Sequence, residues 1–384
     1  MLLYDIKHGQ YNYDIIDQNI WSLLNSAKTA LDAPFMHNPA TSRAIMNMMD
    51  PFENYKRQLS TTIPYKVSRA WMKCYEIDTY FNLIKKDTYV WDNCAFPGMF
   101  IAAHNHIYAA KHNASIKWVA SSLHGSAESL PDTYGLYSNY RANWLMNAHN
   151  DGNVCFANNL RDFQKQIGQT TTLYTSDLGI DSSNNYNDQE SMHIDAHYGQ
   201  AIAGLITLSV GGDFVVKQFT FASDATVQLI HTLARFFAEF YICKPLTSAI
   251  TNSEVYFVGK NFTGITPDEC EQLLSKMPAA DTKTGGTDID KNIQYAATDI
   301  YTRQIRALRL YTNIITEYKS LDLAVANNKK IIRTAIARAY YHAMDTPADD
   351  VVRVWMATHN ITRISPQHEI VKAAKYPLIH RRNA

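Results

Sequence analysis

The sequence predicts an α/β fold, with a doubly wound, mostly parallel sheet and helical extensions at both ends. Short runs of β-branched and aromatic residues alternate with amphipathic stretches between residues 88 and 258. Before about residue 65 and after about residue 263 the patterns are mainly helical. The length of 384 residues is enough for one large core with additions, or for two ordinary domains.

The alternating region supplies the elements of the sheet in order. Strands are predicted at residues 88–91, 116–120, 153–157, 171–175, 214–219, 240–243 and 253–258. Helices are predicted at residues 98–110, 158–170, 193–208 and 225–239. Parallel strands need crossover connections, and a sheet of this type binds its ligand outside the carboxyl ends of its strands. The chemistry is therefore expected at that edge.

The chain divides into three predicted parts: a helical extension over 1–65, a central domain over 66–262 and a mainly helical region over 263–384. In the first part the helical pattern breaks at prolines, which mark helix boundaries. These prolines are Pro34, Pro39, Pro51 and Pro64. Residues 329–384 contain ten Lys or Arg against four acids. This excess predicts a surface that faces a polyanion, although a solvated helix face gives the same pattern.

Composition excludes several classes of protein. Lys plus Arg and Asp plus Glu both number 36, so the chain is not a generally basic coat for nucleic acid. The five cysteines lack CxxC spacing, which favours free thiols over a disulfide framework or a zinc ribbon. The longest apolar run, 201–210, is about half of the ~20 residues that span a membrane, so neither a membrane helix nor a signal peptide is predicted.

A lysine interrupts the strand predicted at 214–219. An ammonium removed from water without a partner costs several kcal/mol, so Lys217 requires an explanation. Alone, it is equally consistent with an edge-strand lysine that reaches water. The alternative is that carboxylates from other elements meet it.

The order of the charged residues resembles a known family. Lys73, a Pro-Gly turn within residues 92–100, Asp177, Lys217 and Glu254 follow one another as in the Lys-Asp-Lys-Glu tetrad of FtsJ-like ribose 2′-O-methyltransferases. The blocks WVASSL, YGLY, NWLM and NSEVYFVGKN are similar to members of this family from large cytoplasmic DNA viruses; they occupy residues 118–123, 134–137, 143–146 and 252–261.

The resemblance implies a Rossmann-like methyltransferase sheet, S-adenosyl-L-methionine as cofactor, and RNA as substrate. A viral mRNA cap and a location in the host cytoplasm or the virion follow from the viral relatives, with other viral proteins as partners of the terminal helices. Lys217 is then the group at the 2′-oxygen, and Asp177, Glu254 and Lys73 set its charge state and position. A lysine there accepts the hydroxyl proton when neutral, or stabilises developing negative charge when protonated.

The resemblance also implies the cofactor contacts. Residues 94–100 would hold the methionine part, Ser121 and Ser122 would lie near the ribose, and 158–162 beside the adenine. The predicted set is Asp92, Cys94, Ala95, Phe96, Pro97, Gly98, Met99, Phe100, Ser121, Asn159, Leu160 and Asp177. Cys94 and Met99 replace two glycines of the family pattern, and Asn159 replaces an acid. We therefore expect a reduced affinity for the cofactor, because side chains occupy positions where backbone approaches the ligand.

Two other functions remain open. The altered glycines favour a non-catalytic or weakly active subunit that uses the fold as an RNA- or protein-binding module in a viral assembly, whereas the complete tetrad favours the enzyme. A small-molecule methyltransferase would need a closed apolar pocket, and the basic C-terminal segment argues against it.

Three weaker motifs favour structural roles. His193 and His197 have zinc-binding spacing but no third ligand follows, and the His104 to His106 motif lacks the context of a nuclease. No metal site is therefore predicted. Aromatic side chains in the loop after the second strand either stack on bases or pack beneath the loop; they are Tyr134, Tyr137, Tyr140 and Trp144.

Overall fold

The structure is a computed structural model that describes residues 1–123, 131–146, 151–179, 189–277, 288–344 and 348–372. Its centre is a seven-stranded sheet. The strands are β1 (Leu2–Asp5), β2 (Tyr89–Asn93), β3 (Lys117–Ala120), β4 (Thr171–Ser176), β5 (Leu208–Gln218), β6 (Phe237–Lys244) and β7 (Val255–Phe262). Across the sheet they follow the order β1-β6-β7-β5-β4-β2-β3.

Helices precede, connect and follow the strands. The N-terminal ones are α1 (Ile20–His37), α2 (Pro39–Met49), α3 (Pro51–Thr62) and α4 (Arg69–Phe81). Those between strands are α5 (Met99–His112), α6 (Leu136–Asn139), α7 (Ala157–Ile167), α8 (Gln189–Met192), α9 (Ile194–Thr207) and α10 (Asp224–Arg235). The C-terminal ones are α11 (Pro267–Ser275), α12 (Asp288–Tyr318), α13 (Ala326–Met344) and α14 (Ala348–Thr358).

The sheet is mixed. Strand β2 pairs in parallel with β3 and β4, and β4 pairs in parallel with β5. Strand β7 is antiparallel to both β5 and β6, and β1 is antiparallel to β6. The α/β class is thus confirmed, with a parallel half followed by an antiparallel edge. Among the described residues, no helix combines the length and apolar composition of a membrane span.

The alternation of side chains along each strand divides the core into two layers. Trp91, Tyr174 and Phe214 pack in one layer, which includes α7, α9 and α10. Their neighbours Leu173 and Val215 pack in the other layer, which includes α4 and α5. By the same alternation, Asp177 and Lys217 face the side of the sheet that α4 covers.

Three sequence-based predictions of secondary structure were wrong or incomplete. Residues 153–157 are not a strand, because Asp151 Oδ1 accepts from the Asn153 N–H and Asn153 Oδ1 accepts from the Cys155 N–H, which forms turns instead of a ladder. Residues 1–65 contain the strand β1 in addition to helices. The helix predicted at 225–239 ends at Arg235, and strand β6 begins at Phe237.

Candidate active site

The structure brings four charged residues from separate elements to the carboxyl edge of the parallel strands. Asp177 immediately follows β4, Lys217 is the penultimate residue of β5, and Glu254 immediately precedes the antiparallel β7. Lys73 comes from α4, in the layer that covers this face. Because Asp177, Lys217 and Glu254 all have the strand parity that faces α4, the fold directs the three side chains to Lys73.

The four side chains alternate in charge around a small cluster. Lys73 Nζ lies 2.8 Å from Glu254 Oε2 and 3.7 Å from Asp177 Oδ1. Lys217 Nζ lies 3.1 Å from Asp177 Oδ1 and 3.9 Å from Glu254 Oε2. Lys217 Nζ also donates to the backbone carbonyl of Asp177, at 3.2 Å. Each ammonium therefore lies between the same two carboxylates, and the cluster is electrically balanced.

Burial makes these charge interactions strong. Lys73, Lys217 and Glu254 are each at most 7% exposed, whereas the Asp177 side chain is 18% exposed and is the most accessible of the four. Burial alone would lower the pKa of Lys73, but the carboxylates of Asp177 and Glu254 raise it above its usual value. Burial would raise the pKa of Glu254, yet Lys73 and Lys217 hold it well below its usual range. Both groups are therefore kept ionised.

Three further residues, which were not predicted from the sequence, hold the cluster. The Tyr256 hydroxyl donates to Asp177 Oδ1 at 2.8 Å, and the Ser248 hydroxyl donates to Glu254 Oε1 at 2.7 Å. Lys244 Nζ donates to the backbone carbonyl of Glu254 at 2.8 Å. Tyr256 was detectable in principle, because it lies two residues after Glu254 and so faces the same side. Ser248 has no such signal.

A second buried polar network lies behind the cluster. Asp92 Oδ1 accepts from the Thr175 hydroxyl at 2.6 Å, Thr175 Oγ1 lies 3.3 Å from His104 Nε2, and His104 Nδ1 lies 2.6 Å from Asp78 Oδ2. Burial raises the pKa of Asp92 to about 7, partly opposed by His104. This network ties α4 and α5 to the ends of β2 and β4.

Cys74 joins this network, and the structure there offers a group of metal-ligand type. One ligand atom each from Cys74, Asp78 and His104 lies within 4.8 Å of the others, and all three residues are buried. Asp78 already pairs with His104, and burial raises the pKa of the Cys74 thiol well above its usual value, which keeps it protonated. The arrangement is that of a satisfied buried histidine, which agrees with the structural role favoured for His104 from the sequence.

The loop after β2 lies against the end of β3. The Ala95 N–H donates to the Ser121 carbonyl at 3.0 Å, and the Phe96 N–H lies 3.3 Å from the Ser122 hydroxyl. Cys94 and Gly98 have φ angles of 53° and 99°, so both adopt the left-handed conformation that glycine adopts most readily. At Gly98 any side chain would be strained by this φ, and its Cβ would also displace Leu136 Cδ1, 2.4 Å away.

Several of the residues predicted to contact the cofactor have buried side chains. Met99, Phe100 and Leu160 are at most 3% exposed and pack in the hydrophobic core, so a contact with the cofactor would have to come from their backbone atoms. The Ser121 hydroxyl accepts from the Trp91 indole N–H and donates to Asn93, and is fully buried. Asp92 is likewise fully buried. The side chains of Cys94, Phe96, Pro97 and Asp177 stay partly exposed at this edge.

The remaining groups fit S-adenosylmethionine. A backbone loop with two left-handed residues leads into the N-terminus of the 14-residue helix α5, which is where an α/β fold presents N–H groups to a ligand. Asn159, 1% exposed, donates to Asp151 and to the Asn153 carbonyl, while its Oδ1 atom has no hydrogen-bond partner in the described part of the chain. An orphaned buried acceptor calls for a donor from a ligand or a water molecule.

The weaker sequence motifs take structural positions. Trp144 packs against Phe96 and Tyr137, and Tyr140 packs against Trp118, so these aromatic residues lie beneath the loop. His197 is buried and its pKa is lowered to about 3, chiefly by burial. Neither His193 nor His197 belongs to a group of metal-ligand type among the described residues.

The basic C-terminal segment is partly used within the protein. Arg353 pairs with Asp350, Arg363 donates to the carbonyls of Thr61 and Thr62, and Lys372 lies over the Tyr140 ring. Lys330 and Arg333 are exposed. The side chains of Arg338, Lys375, Arg381 and Arg382 lie outside the described residues.

Comparisons with known proteins agree with this geometry. The model of the family described as FtsJ-like methyltransferase matches residues 66–262. The African swine fever virus protein named "Probable methyltransferase EP424R" is 34% identical over 340 residues, which cover 81% of this chain and 80% of that protein. The mouse protein named "Cap-specific mRNA (nucleoside-2'-O-)-methyltransferase 2" is 32% identical over 226 residues, or 55% of this chain and 29% of that protein.

The chain is also similar to a solved structure of a Plasmodium falciparum protein named "ribosomal RNA methyltransferase, putative", with a TM-score of 0.38 and 19% sequence identity. The match covers 52% of this chain and 100% of the Plasmodium chain. The family model covers about half of the chain, and the viral relative covers most of it. The chain therefore belongs to the FtsJ-like methyltransferase family.

Proposed function

We propose that the protein is an S-adenosylmethionine-dependent RNA ribose 2′-O-methyltransferase. Its substrate would be a viral mRNA cap structure, and the protein would act in the host cytoplasm or the virion. The observation that carries the proposal is the meeting of Lys73, Asp177, Lys217 and Glu254, with N–O distances between 2.8 and 3.9 Å, at the ligand-binding edge of the sheet. The name of the mouse relative supports the cap as substrate.

The bound cofactor would supply a methyl group on a sulfonium, which needs no further activation. The protein must therefore align the ribose oxygen with that methyl group and manage the hydroxyl proton. Lys217 donates to the Asp177 carbonyl and forms an ion pair with the Asp177 carboxylate, which holds its ammonium at the edge where an incoming oxygen would lie. Asp177, the most exposed of the four residues, borders the place where that oxygen would lie.

Two roles for Lys217 remain distinguishable by experiment. A neutral Lys217 would accept the hydroxyl proton as the carbon–oxygen bond forms, and a charged one would stabilise the negative charge that develops on the oxygen. In both cases Lys73 and Glu254 hold Asp177 and Lys217 in place. A rate that rises tenfold per pH unit supports the base, and a rate independent of pH between 6 and 8 supports electrostatic stabilisation.

The second candidate is a binding module without methyl transfer. The observation that favours it is the replacement of two cofactor-loop glycines by Cys94 and Met99. The conformation of the loop weakens this argument, because Cys94 adopts the glycine-like φ of 53° and the Met99 side chain is turned into the core. Neither replacement places its side chain where it must block the loop backbone, which supports the enzyme.

The test measures transfer of a labelled methyl group to a short capped RNA, together with calorimetric binding of S-adenosylmethionine. We expect binding, and transfer that disappears when the acceptor ribose is replaced by 2′-deoxyribose. Transfer that persists to the deoxy substrate would place the methyl group on a base and refute the 2′-hydroxyl. Absence of binding heat at millimolar cofactor would favour the binding module.

A further inference from the structure

A cavity of about 190 Å³ lies beside the tetrad, on the side of the terminal helices. Its walls come from the junction of α2 and α3, from Arg69 at the start of α4, from residues 244–250 after β6, and from α12. Much of this lining lies outside residues 66–262, which the family model matches. The cavity is therefore largely built by the parts of the chain that extend beyond the family domain.

The cavity is directly connected to the candidate active site. Ser248 and Lys244 line it, and both donate to Glu254, at 2.7 Å and 2.8 Å respectively. Arg69 lies four residues before Lys73 on α4, so their side chains are one helical turn apart, about 5 to 6 Å between Cβ atoms. A group in the cavity would thus lie next to residues that contact Glu254 or neighbour Lys73, two members of the tetrad.

The polar part of the lining favours an anionic or carbonyl-bearing ligand. The lining contains Arg69, Lys244 and Arg303 and one acidic residue, Asp50. Arg69 pairs with Asp50 through Nη2, while its Nη1 atom is buried and has no hydrogen-bond partner among the described residues. Arg303 is held by Asp299 at 3.0 Å and is about half exposed, at the rim. An unpartnered guanidinium N–H requires an acceptor, such as a phosphate or a base carbonyl oxygen.

The rest of the lining is mostly apolar, with Ser248 and Gln304 as its other polar members. Phe52 and Tyr311 contribute little surface, because they are only 1% and 3% exposed. Apolar walls suit the face of a nucleobase. The volume of about 190 Å³ is below the ~300–1,000 Å³ that whole cofactors and drug-sized ligands occupy. The cavity is thus large enough for one base and too small for a dinucleotide or for S-adenosylmethionine.

We propose that this cavity binds the nucleotide adjacent to the methylated one, with its base between the apolar walls, an oxygen of the base on Arg69 and the phosphate beside Arg303 at the rim. The inference rests on the proposed RNA 2′-O-methyl transfer and adds a second substrate subsite to it. The terminal extensions then select which ribose reaches Lys217, because the occupied cavity fixes the register of the strand.

The test uses single-stranded RNA of about six nucleotides with an abasic residue placed at each position in turn. Binding is measured by fluorescence anisotropy for the unmodified protein and for Ala249→Phe, which fills the cavity. In the unmodified protein, removal of one base, next to the nucleotide that becomes methylated, should weaken binding about tenfold. In Ala249→Phe, removal of the same base should change the binding affinity less than about twofold, because the phenylalanine side chain already occupies the volume that the base would fill.

A surface variant provides a second readout that does not depend on core folding. Arg303→Gln at the rim should reduce the slope of log affinity against log salt by about one, because one phosphate contact is lost. Arg309→Gln, an exposed position on the same helix that does not line the cavity, should leave the slope unchanged. Equal slopes for the two variants, or an equal abasic penalty in Ala249→Phe and the unmodified protein, would overturn the inference.

These outcomes separate the subsite from the proposed reaction. If the protein methylates RNA but the loss of affinity on removal of a base is the same in Ala249→Phe and the unmodified protein, the proposed reaction is supported and the subsite is refuted. A position-specific penalty that Ala249→Phe abolishes, without any methylation, would support an RNA subsite and count against the enzyme.

Discussion

The proposed acceptor side and the proposed cofactor side of the candidate site are built differently. On the acceptor side, Lys73, Asp177, Lys217 and Glu254 meet through side-chain atoms, and every contact depends on a particular ammonium or carboxylate. On the cofactor side, the loop that contains Cys94 and Gly98 is placed mainly by backbone geometry, while nearby side chains such as Met99 pack into the core.

This difference shows why the two sides tolerate substitution differently. A backbone N–H is present whatever the side chain, so a residue that adopts the required φ can replace glycine at a cost of about 1–3 kcal/mol. A buried charge has no such substitute, because removal of one partner leaves the other uncompensated. We therefore expect changes on the acceptor side to have the larger effects, and the predictions below test that order.

The largest effect is expected for Lys217→Ala. Loss of the group at the 2′-oxygen should reduce the rate of methyl transfer by at least about 10³-fold, since one positioned donor or base contributes that much. Cofactor affinity should change less than about twofold, because the side chain contacts the acceptor side. The measurements are single-turnover methyl transfer and calorimetry.

Lys260→Ala is the matched control for this variant. Lys260 is also a mostly buried strand lysine, and it pairs with Asp213 at 2.9 Å away from the tetrad. We expect it to lose stability while the folded protein keeps its transfer rate. Substantial transfer by Lys217→Ala, or an equal loss in both variants, would contradict the assignment of Lys217.

Glu254→Gln should be the most destabilising change in the tetrad. Lys73 and Lys217 would lose a shared carboxylate, which costs about 3 kcal/mol of unfolding free energy at pH 7. The folded pKa of Glu254 is lowered from 4.5, so its contribution is present above that pH and is lost as the pH falls toward the folded value. Urea unfolding should thus show a difference between the two proteins that narrows from pH 7 to pH 3.

The control is Glu271→Gln. Glu271 also pairs with a cation, Arg161, but its side chain is 63% exposed. Water screens exposed ion pairs, so little change in the unfolding free energy is expected. If Glu254→Gln were as mild as this control, the alternating cluster would not stabilise the fold.

Cys94→Gly and Met99→Gly sharpen the comparison within the cofactor side. Both restore a glycine of the family pattern, yet opposite effects are expected. Cys94→Gly relieves a residue at φ 53° and should raise the unfolding free energy by about 1 kcal/mol. Met99→Gly removes a buried side chain at the start of a helix and should lower it by about 3 kcal/mol. Denaturant unfolding measures both values.

Cofactor binding by Cys94→Gly tests the role of the backbone. We expect Cys94→Gly to change the dissociation constant for S-adenosylmethionine less than about threefold, since the loop already follows the glycine path. A gain of a hundredfold would instead mean that the Cys94 side chain obstructs the ligand, and would restore the binding-module reading.

The effect expected for Asp92→Asn is on stability alone, and it depends on pH. The folded pKa of Asp92 is raised from 3.8 to about 7, so between these values the folded protein retains a proton that the unfolded chain has lost. The contribution of Asp92 to stability therefore falls as the pH rises through this window. The melting temperature of the unmodified protein minus that of Asp92→Asn should decrease by a few degrees between pH 5 and pH 7.5.

Asp268→Asn serves as the control, because Asp268 is exposed at the start of α11. Its melting temperature relative to the unmodified protein should be independent of pH in the same window. A flat profile for Asp92→Asn would contradict the raised pKa.

The elements with strong local patterns were predictable. Strand β4, predicted at 171–175, is found at Thr171–Ser176, and α9, predicted at 193–208, is found at Ile194–Thr207. Residues 153–157 have the composition of a strand, but Asp151 and Asn153 satisfy the backbone locally. Strand β1 was missed because its partner, β6, is more than 230 residues away in the chain. Local composition cannot report such a pairing.

The order of residue types along the chain determined the α/β class, the family resemblance and the identity of the four charged residues, because periodicity and residue chemistry are local properties. Only the tertiary structure decided that Tyr256 and Ser248 hold the two carboxylates, that Met99 and Leu160 pack inward, and that the terminal extensions enclose a cavity beside the tetrad. These features depend on which faces of distant elements meet, and that is fixed by the packing of the whole chain.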